Sequence, residues 1–315
     1  MQSWLYKFFA CLNSANTWYD VSTTGPYVFQ KCEGDQQLNW RDRGYRTVLD
    51  IMMKKIPDPT KQLPLDDKIF LNKEVRNIAW DTGANTERVV VTCADGSTYN
   101  ADHIIVTTSL GVLKRNYKSM FTPAPPSNKI NSIEGLTFGT VNKILLKFPT
   151  KWWPNDLKGF SLLWTEVDHD EGRSWLEDIY GFYVIDSHPR VLLGWVVGKM
   201  AAEVELLSDE VVVDSCMFIL RKYVGDMYDI PNPDGVLRSK WNSNPNFCGS
   251  YLHIGIEAEK RKATSEDLAR PLISKNNRPT VLFAGEATSP TKFSTVNGAI
   301  ETGYREAERL IEMYK

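Results

Sequence analysis

Pro279-Thr280-Val281-Leu282-Phe283-Ala284-Gly285-Glu286-Ala287-Thr288, followed by Ser294-Thr295-Val296-Asn297-Gly298-Ala299, is the stretch that decides how this chain is read. A continuous apolar run ends on Gly-Glu and gives way to small hydroxyl residues. That order predicts a buried strand, a polar loop and a helix beginning near Thr295. An acid at the end of such a strand accepts hydroxyl hydrogens, and the helix start offers unpaired N–H groups at the positive end of its dipole. Such a place suits a large anionic or electron-rich group. The helix expected over 295–314 puts Val296, Ala299, Ile300, Gly303, Ala307, Leu310, Ile311 and Tyr314 on one face. The small residues Gly298, Ala299 and Gly303 leave room there for something bulky.

Upstream the pattern alternates between the two periods. Residues 1 to about 20 and 43–55 have helical spacing, the second stretch stopped by Pro57 and Pro59. Ile69-Phe70-Leu71, residues 74–80 and residues 88–92 read as strands, and Asp95-Gly96 turns the chain back into 97–101. Residues 102–108 form a buried strand that exits into Ser109-Leu110-Gly111-Val112-Leu113-Lys114. Residues 141–148 and 190–197 alternate as strands. A helix is expected over 209–224, with Ser208 as its cap, acids in its first turn, Arg221 and Lys222 in its last, and Gly225 beyond.

Composition narrows the class. The 315 residues are 42% hydrophobic and 24% charged, with a formal net charge of -2, so no basic face points to nucleic acid. Five cysteines, an odd number without a CxxC pair, argue against a disulfide framework or zinc site and point to a reducing, cytoplasmic compartment. The four histidines lack HExxH spacing, so no metal is expected. The apolar N-terminal ten residues are too short and interrupted to span a membrane, and no basic region precedes them as in a signal peptide.

Three segments carry a family resemblance: the Asp95–Lys114 string DGSTYNADHIIVTTSLGVLK, the Trp241–Tyr251 string WNSNPNFCGSY, and the closing Gly-Glu strand with its Thr-Val-Asn-Gly-Ala helix start. Together they resemble the FAD-dependent amine oxidases, most nearly the spermine and acetylpolyamine oxidase branch. Asn297 stands where that family commonly has histidine. The resemblance implies an α/β (α+β) chain: the C-terminal part of a two-domain fold, with an incomplete FAD-binding domain and a mixed-sheet substrate domain. It assigns 1–65 to a helical part of the substrate domain and 66–115 to the FAD-binding domain. Residues 116–275 then form the substrate-binding domain, and 276–315 the C-terminal FAD-binding segment. No G-x-G-x-x-G occurs in the 315 residues, so the expectation is a chain that matches the later part of the family, as a fragment, an alternative start or a truncated paralogue.

The same resemblance supplies site residues. Lys143, in strand alternation with Val141 and Leu145, corresponds to the lysine that holds a water against flavin N5; read alone, it is rather a surface lysine whose stem snorkels, and the motif reverses that reading. Tyr251 corresponds to an aromatic wall of the amine site, though by itself it reads as core. Val75, Trp241, Gly285, Glu286, Thr295 and Val296 are expected to bind cofactor, Glu286 through the ribityl chain. Phe293 and Thr295 join Tyr251 in the substrate pocket. An acidic run, Glu166, Asp168, Asp170, Glu171, Glu177 and Asp178, attracts polyamines at long range or is a solvated loop. The implied partners are a polyamine and oxygen, with FAD as cofactor. The alternative is a non-catalytic polyamine-binding or regulatory relative without FAD. The absence of a long helical insertion and of a C-terminal membrane helix counts against a chromatin demethylase and a monoamine oxidase.

Overall fold

The computed structural model describes residues 1–35, 40–81, 89–165 and 171–315. Its first sheet follows directly from the Asp95-Gly96 turn. Gly96 N–H reaches Cys93 O at 3.1 Å, and the Asp95 carboxylate accepts from Ser97 N–H and Oγ. This turn joins β2 (Val89–Cys93) to β3 (Thr98–Ala101), and β1 (Val75–Ala79) completes the antiparallel run. Arg88, expected to open β2, lies outside the described residues. The short β5 (Phe121–Thr122) adds a parallel edge to β1. A second, three-stranded sheet places β14 (Pro279–Phe283) between β13 (Leu272–Ile273) and β4 (Ile104–Val106), with β14 and β4 parallel. These two sheets share one core, to which Val89, Leu110, Ile133, Leu252, Leu268 and Val281 contribute.

The third sheet is antiparallel, in the order β11 (Gly235–Arg238), β7 (Val141–Lys147), β10 (His188–Val197), β9 (Ile179–Ile185), β8 (Gly159–Ser161). Alternation along β7 sends Ile144 and Leu146 into a core shared with α7 (Asp209–Val224). Ser208 Oγ caps α7 by accepting from Val211 N–H at 3.2 Å. The other face carries Val141, Tyr180 and Val197, and is covered by Ala10 and Cys11 of α1 (Gln2–Leu12). A two-stranded ribbon, β6 (Thr137–Gly139) with β12 (Tyr251–His253), bridges the cores.

Three expectations change. α1 stops at Leu12, well short of residue 20, because Asn13 Nδ2 takes the Phe9 carbonyl and Ser14 turns the chain at φ 47°. Ile69-Phe70-Leu71 is an irregular segment with Leu71 77% exposed; it pairs with no strand among the described residues. The closing helix α10 (Val296–Met313) buries Gly298, Thr302 and Glu306 rather than its apolar stripe.

The physical reason for that last change is the loop after β14, whose carbonyls need donors. Arg305 donates to Phe283 O at 2.7 Å and to Thr288 O at 3.0 Å. Glu306, 0% exposed, holds Arg305 at 2.6 Å and Arg309 at 2.8 Å. Removing a buried carboxylate from such a cluster leaves partly buried cations unpaired. Glu306→Ala is therefore expected to cost about 3 kcal/mol of stability, read as a lowered midpoint in urea denaturation; a loss under about 1 kcal/mol would show that the cluster does not hold the helix.

Candidate functional site

Because β4 and β14 run parallel, their carboxyl ends open on the same side. Val281, Leu282 and Phe283 pair with Ile104, Ile105 and Val106, and Ala284 N–H extends the ladder to Val106 O at 3.0 Å. The crevice beyond parallel strand ends is where ligands bind in such sheets. Here it is a cavity of about 330 Å³ lined by Thr107, Ser109, Trp241, Gly285, Glu286 and Ala299. The structure thus brings together the Gly-Glu pair, the Trp241 segment and the first turns of α10.

Local bonding shapes this wall. Gly285 has φ 122°, a conformation side chains rarely adopt, and its N–H donates to Thr302 Oγ1 at 2.9 Å. The chain therefore swings Glu286 away from the strand axis. Ser294 N–H donates to Glu286 Oε2 at 2.7 Å. Burial pushes the Glu286 carboxyl up to about 7, against the lowering effect of N–H groups from Ser294 and Leu252. Thr295 Oγ1 caps α10 by accepting from Gly298 N–H at 3.0 Å and donates to Lys292 O at 2.7 Å. Gly298 has a different task from the one its size suggested. A Cβ there would lie 2.1 Å from Lys292 O, so its smallness serves this capping loop.

Lys143 and Tyr251 meet elsewhere, on the face of the third sheet that α1 covers. Lys143 pairs with Trp195 in register, and its Nζ lies 4.5 Å from the Trp195 ring centroid. Burial lowers its pKa, and the nearby Cys11 raises it less. The Tyr251 hydroxyl donates to Cys11 O at 2.5 Å, and Ser14 Oγ donates to Tyr251 O at 2.6 Å. Burial also raises the Tyr251 phenol well above its ordinary value. Lys143 is therefore turned into a half-buried aromatic setting, beside the same helix end that fixes Tyr251.

The remaining expected residues sit apart. Val75 lies in β1, half-buried against the first core. Phe293 is 6% exposed and packs edge-on against Phe29 at 5.4 Å, as a core residue. Val296 is exposed at the first position of α10. Of the acidic run, Glu166, Asp168 and Asp170 lie outside the described residues. Asp178 is half-buried and accepts from Met200 N–H at 2.9 Å.

Sequence reasoning missed the clamp between these two regions. Buried Glu205 accepts from Asn142 Nδ2 at 2.8 Å, Asn242 N–H at 2.8 Å and Ser243 N–H at 2.7 Å. Ser239 Oγ accepts from Lys143 N–H and donates to Asn142 Oδ1. The strand carrying Lys143 is thereby tied to the segment carrying Trp241. Glu205 follows an ordinary helical turn, and nothing in its local pattern marks it.

A crevice at the ends of a parallel pair, with an acid and a helix start on its rim, defines a cofactor- or nucleotide-holding protein of the α/β class. The chain matches the model of the flavin containing amine oxidoreductases over residues 12–311, and it belongs to that family. It is 33% identical over 290 residues to the peroxisomal N(1)-acetyl-spermine/spermidine oxidase of Bos taurus, covering 86% of this chain and 54% of that protein. It is 32% identical to the probable polyamine oxidase 5 of Arabidopsis thaliana, with 87% and 55% covered. A solved putrescine oxidase bound to putrescine superposes with a TM-score of 0.56 at 18% identity, over 79% of this chain and 50% of that one. The chain spans about half the length of these relatives. Among the described residues no helix is long and apolar enough to cross a membrane.

The raised Glu286 carboxyl makes a pH prediction. In the folded chain it keeps its proton at pH values where the unfolded chain has lost it. Its contribution is full below pH 4.5 and is lost as pH rises through about 7. The neutral isostere Glu286→Gln keeps an acceptor for Ser294 N–H. It is expected to raise Tm at pH 8, by the equivalent of about 3 kcal/mol at most, and to leave Tm nearly unchanged at pH 4.5. Equal shifts at both pH values in thermal denaturation would contradict a buried, raised carboxyl.

Proposed function

We propose that this chain forms the amine-facing and C-terminal flavin-contacting part of an FAD-dependent polyamine oxidase. Such an enzyme converts spermine, spermidine or their acetylated forms, with oxygen and water, to an aldehyde, an amine and hydrogen peroxide. The observation that carries the reading is the convergence of Gly285, Glu286 and Trp241 on one cavity at the ends of β4 and β14, in a chain of the flavin containing amine oxidoreductase family.

The residues fit part of the cofactor. Glu286 offers a carboxyl to a hydroxyl-bearing chain, Trp241 an aromatic wall, and the start of α10 a positive dipole end for a ring edge that gathers negative charge. A cavity of about 330 Å³ is too small for a whole flavin dinucleotide. In this reading 66–115 and 276–315 serve the flavin, with Trp241, and 116–275 serve the amine. A bound flavin supplies the two-electron oxidation of the amine carbon. Lys143, its pKa lowered by burial, holds a water at Nζ. Tyr251 and Trp195 present ring faces to which a cationic amine is drawn. The five cysteines, an odd number without a CxxC pair, support a cytoplasmic setting, although the relatives include peroxisomal forms.

A second reading, a polyamine-binding chain without catalysis, is favoured by the small cavity. Titration of the purified chain with FAD, followed by flavin fluorescence, separates the two. Quenching that weakens about tenfold in Glu286→Gln, a loss of about 1.4 kcal/mol, supports the oxidase, as does peroxide release on adding spermine or N1-acetylspermine. Spermine binding without FAD binding supports the second reading, and binding of neither overturns both. In a peroxide-releasing preparation, Lys143→Met is expected to slow turnover about 100-fold, the scale of a lost proton-handling group, with Tm unchanged or higher.

A further inference from the structure

Lys129 belongs to the helix Ser127–Gly135 and is 1% exposed. Its Nζ donates to Leu268 O at 2.6 Å and to Asp267 O at 3.2 Å, near the end of the helix Ser265–Ala269. The same nitrogen lies 3.7 Å from the centroid of the Phe283 ring. Among the described residues its partners are thus two carbonyls and a ring, without a paired carboxylate. An ammonium group has three hydrogens. Two meet carbonyl oxygens, and the third position faces a π cloud, which attracts a cation and repels a lone pair. These partners favour the charged form, whereas burial favours the neutral one.

The balance is close. Burial brings the Lys129 pKa down to about 7, against Asp267 and Glu306, which raise it, while Arg305 and Arg270 lower it further. Among the described residues those four are the charged groups facing the amine, two from around the helix Ser265–Ala269 and two from α10. Phe283 of β14 brings no charge. Leu268 and Phe283, which hold the amine, both line the crevice at the ends of β4 and β14, and Lys129 itself does not. Charge in such an enclosed layer acts across a neighbouring side chain more strongly than it would through water. Negative charge entering the crevice therefore favours the ammonium form without touching it.

We propose that Lys129 is the charge compensator of the crevice: negative charge brought in by a bound flavin dinucleotide draws a proton from solvent onto the Lys129 amine. The new N–H bond uses the amine lone pair, no electrons are exchanged, and the proton leaves again when the ligand does. Lys129 is a positioning residue that acts through Phe283 and Leu268. The inference rests on the flavin reading above and adds a proton to it.

Glu286 titrates in the same range, so the readout must belong to the lysine alone. ¹⁵N-lysine NMR of the purified chain supplies it, with the Lys129 Nζ signal assigned by its loss in Lys129→Met. Without ligand the signal is expected to titrate near pH 7, and saturation with FAD is expected to move that midpoint up by at least about one pH unit. By linkage, FAD affinity in Glu286→Gln should fall about tenfold between pH 6 and pH 9, and that fall should vanish when Lys129→Met is added. Oxidised FAD carries its charge on the phosphates, and reduction with dithionite adds charge to the ring. A midpoint that moves on binding the oxidised form assigns the effect to the phosphates, one that moves only on reduction assigns it to the ring, and either supports the proposal. If FAD binds in both forms and the midpoint stays in place, the proposal is overturned and the flavin reading stands. A signal that titrates at the ordinary lysine value in the free chain overturns it too. If the wild-type chain binds no FAD, both fall. Should Lys129→Met fail to fold, Lys129→Arg, whose guanidinium keeps its charge throughout, serves for assignment, and the wild-type midpoint decides.

Discussion

The latch between α10 and the end of β14 is the contact on which the arrangement rests. Arg305, held by buried Glu306, supplies donors to the carbonyls of Phe283 and Thr288, and Thr302 takes the N–H of Gly285. Backbone leaving a sheet must find new partners, and these partners come from one helix. The helix is therefore not free to rotate its apolar stripe inward. Its polar latch sets its roll, and with it the direction from which its N-terminus approaches the crevice.

A second polar device performs the same task for the other half. Glu205 collects three N–H donors from Asn142 and the segment after Trp241. It links a residue beside Lys143 to one beside Trp241, across two hydrophobic cores that otherwise meet through short elements. Buried, satisfied polar clusters of this kind hold particular geometries that apolar packing alone leaves loose. The crevice at the ends of β4 and β14 and the aromatic face around Tyr251 depend on them for their relative placement.

Much of the fold was legible in the residues. The Asp95-Gly96 turn, the α7 cap at Ser208 and the α10 cap at Thr295 are local chemistry, complete within a few positions. Local signals misled where long-range competition decides. Ile69-Phe70-Leu71 has strand composition but no neighbouring strand to pair with among the described residues. Gly298 looked like room for a ligand and is instead a close approach to Lys292 O. Phe293 looked like a pocket wall and packs with Phe29, a residue far away in sequence.

The sequence by itself determined the family, the strand ends and helix starts, and the residue types placed at them, because periodicity, caps and turns are written in neighbouring residues. Only the tertiary structure decided which of those residues share a cavity. It separated Val75 and Phe293 from the crevice, bound Tyr251 to α1 through Cys11, and left His253 buried with no hydrogen-bond partner among the described residues. Contacts between residues far apart in the chain depend on which carbonyls, rings and charges remain unsatisfied after the local structure has formed. That remainder is a property of the assembled fold.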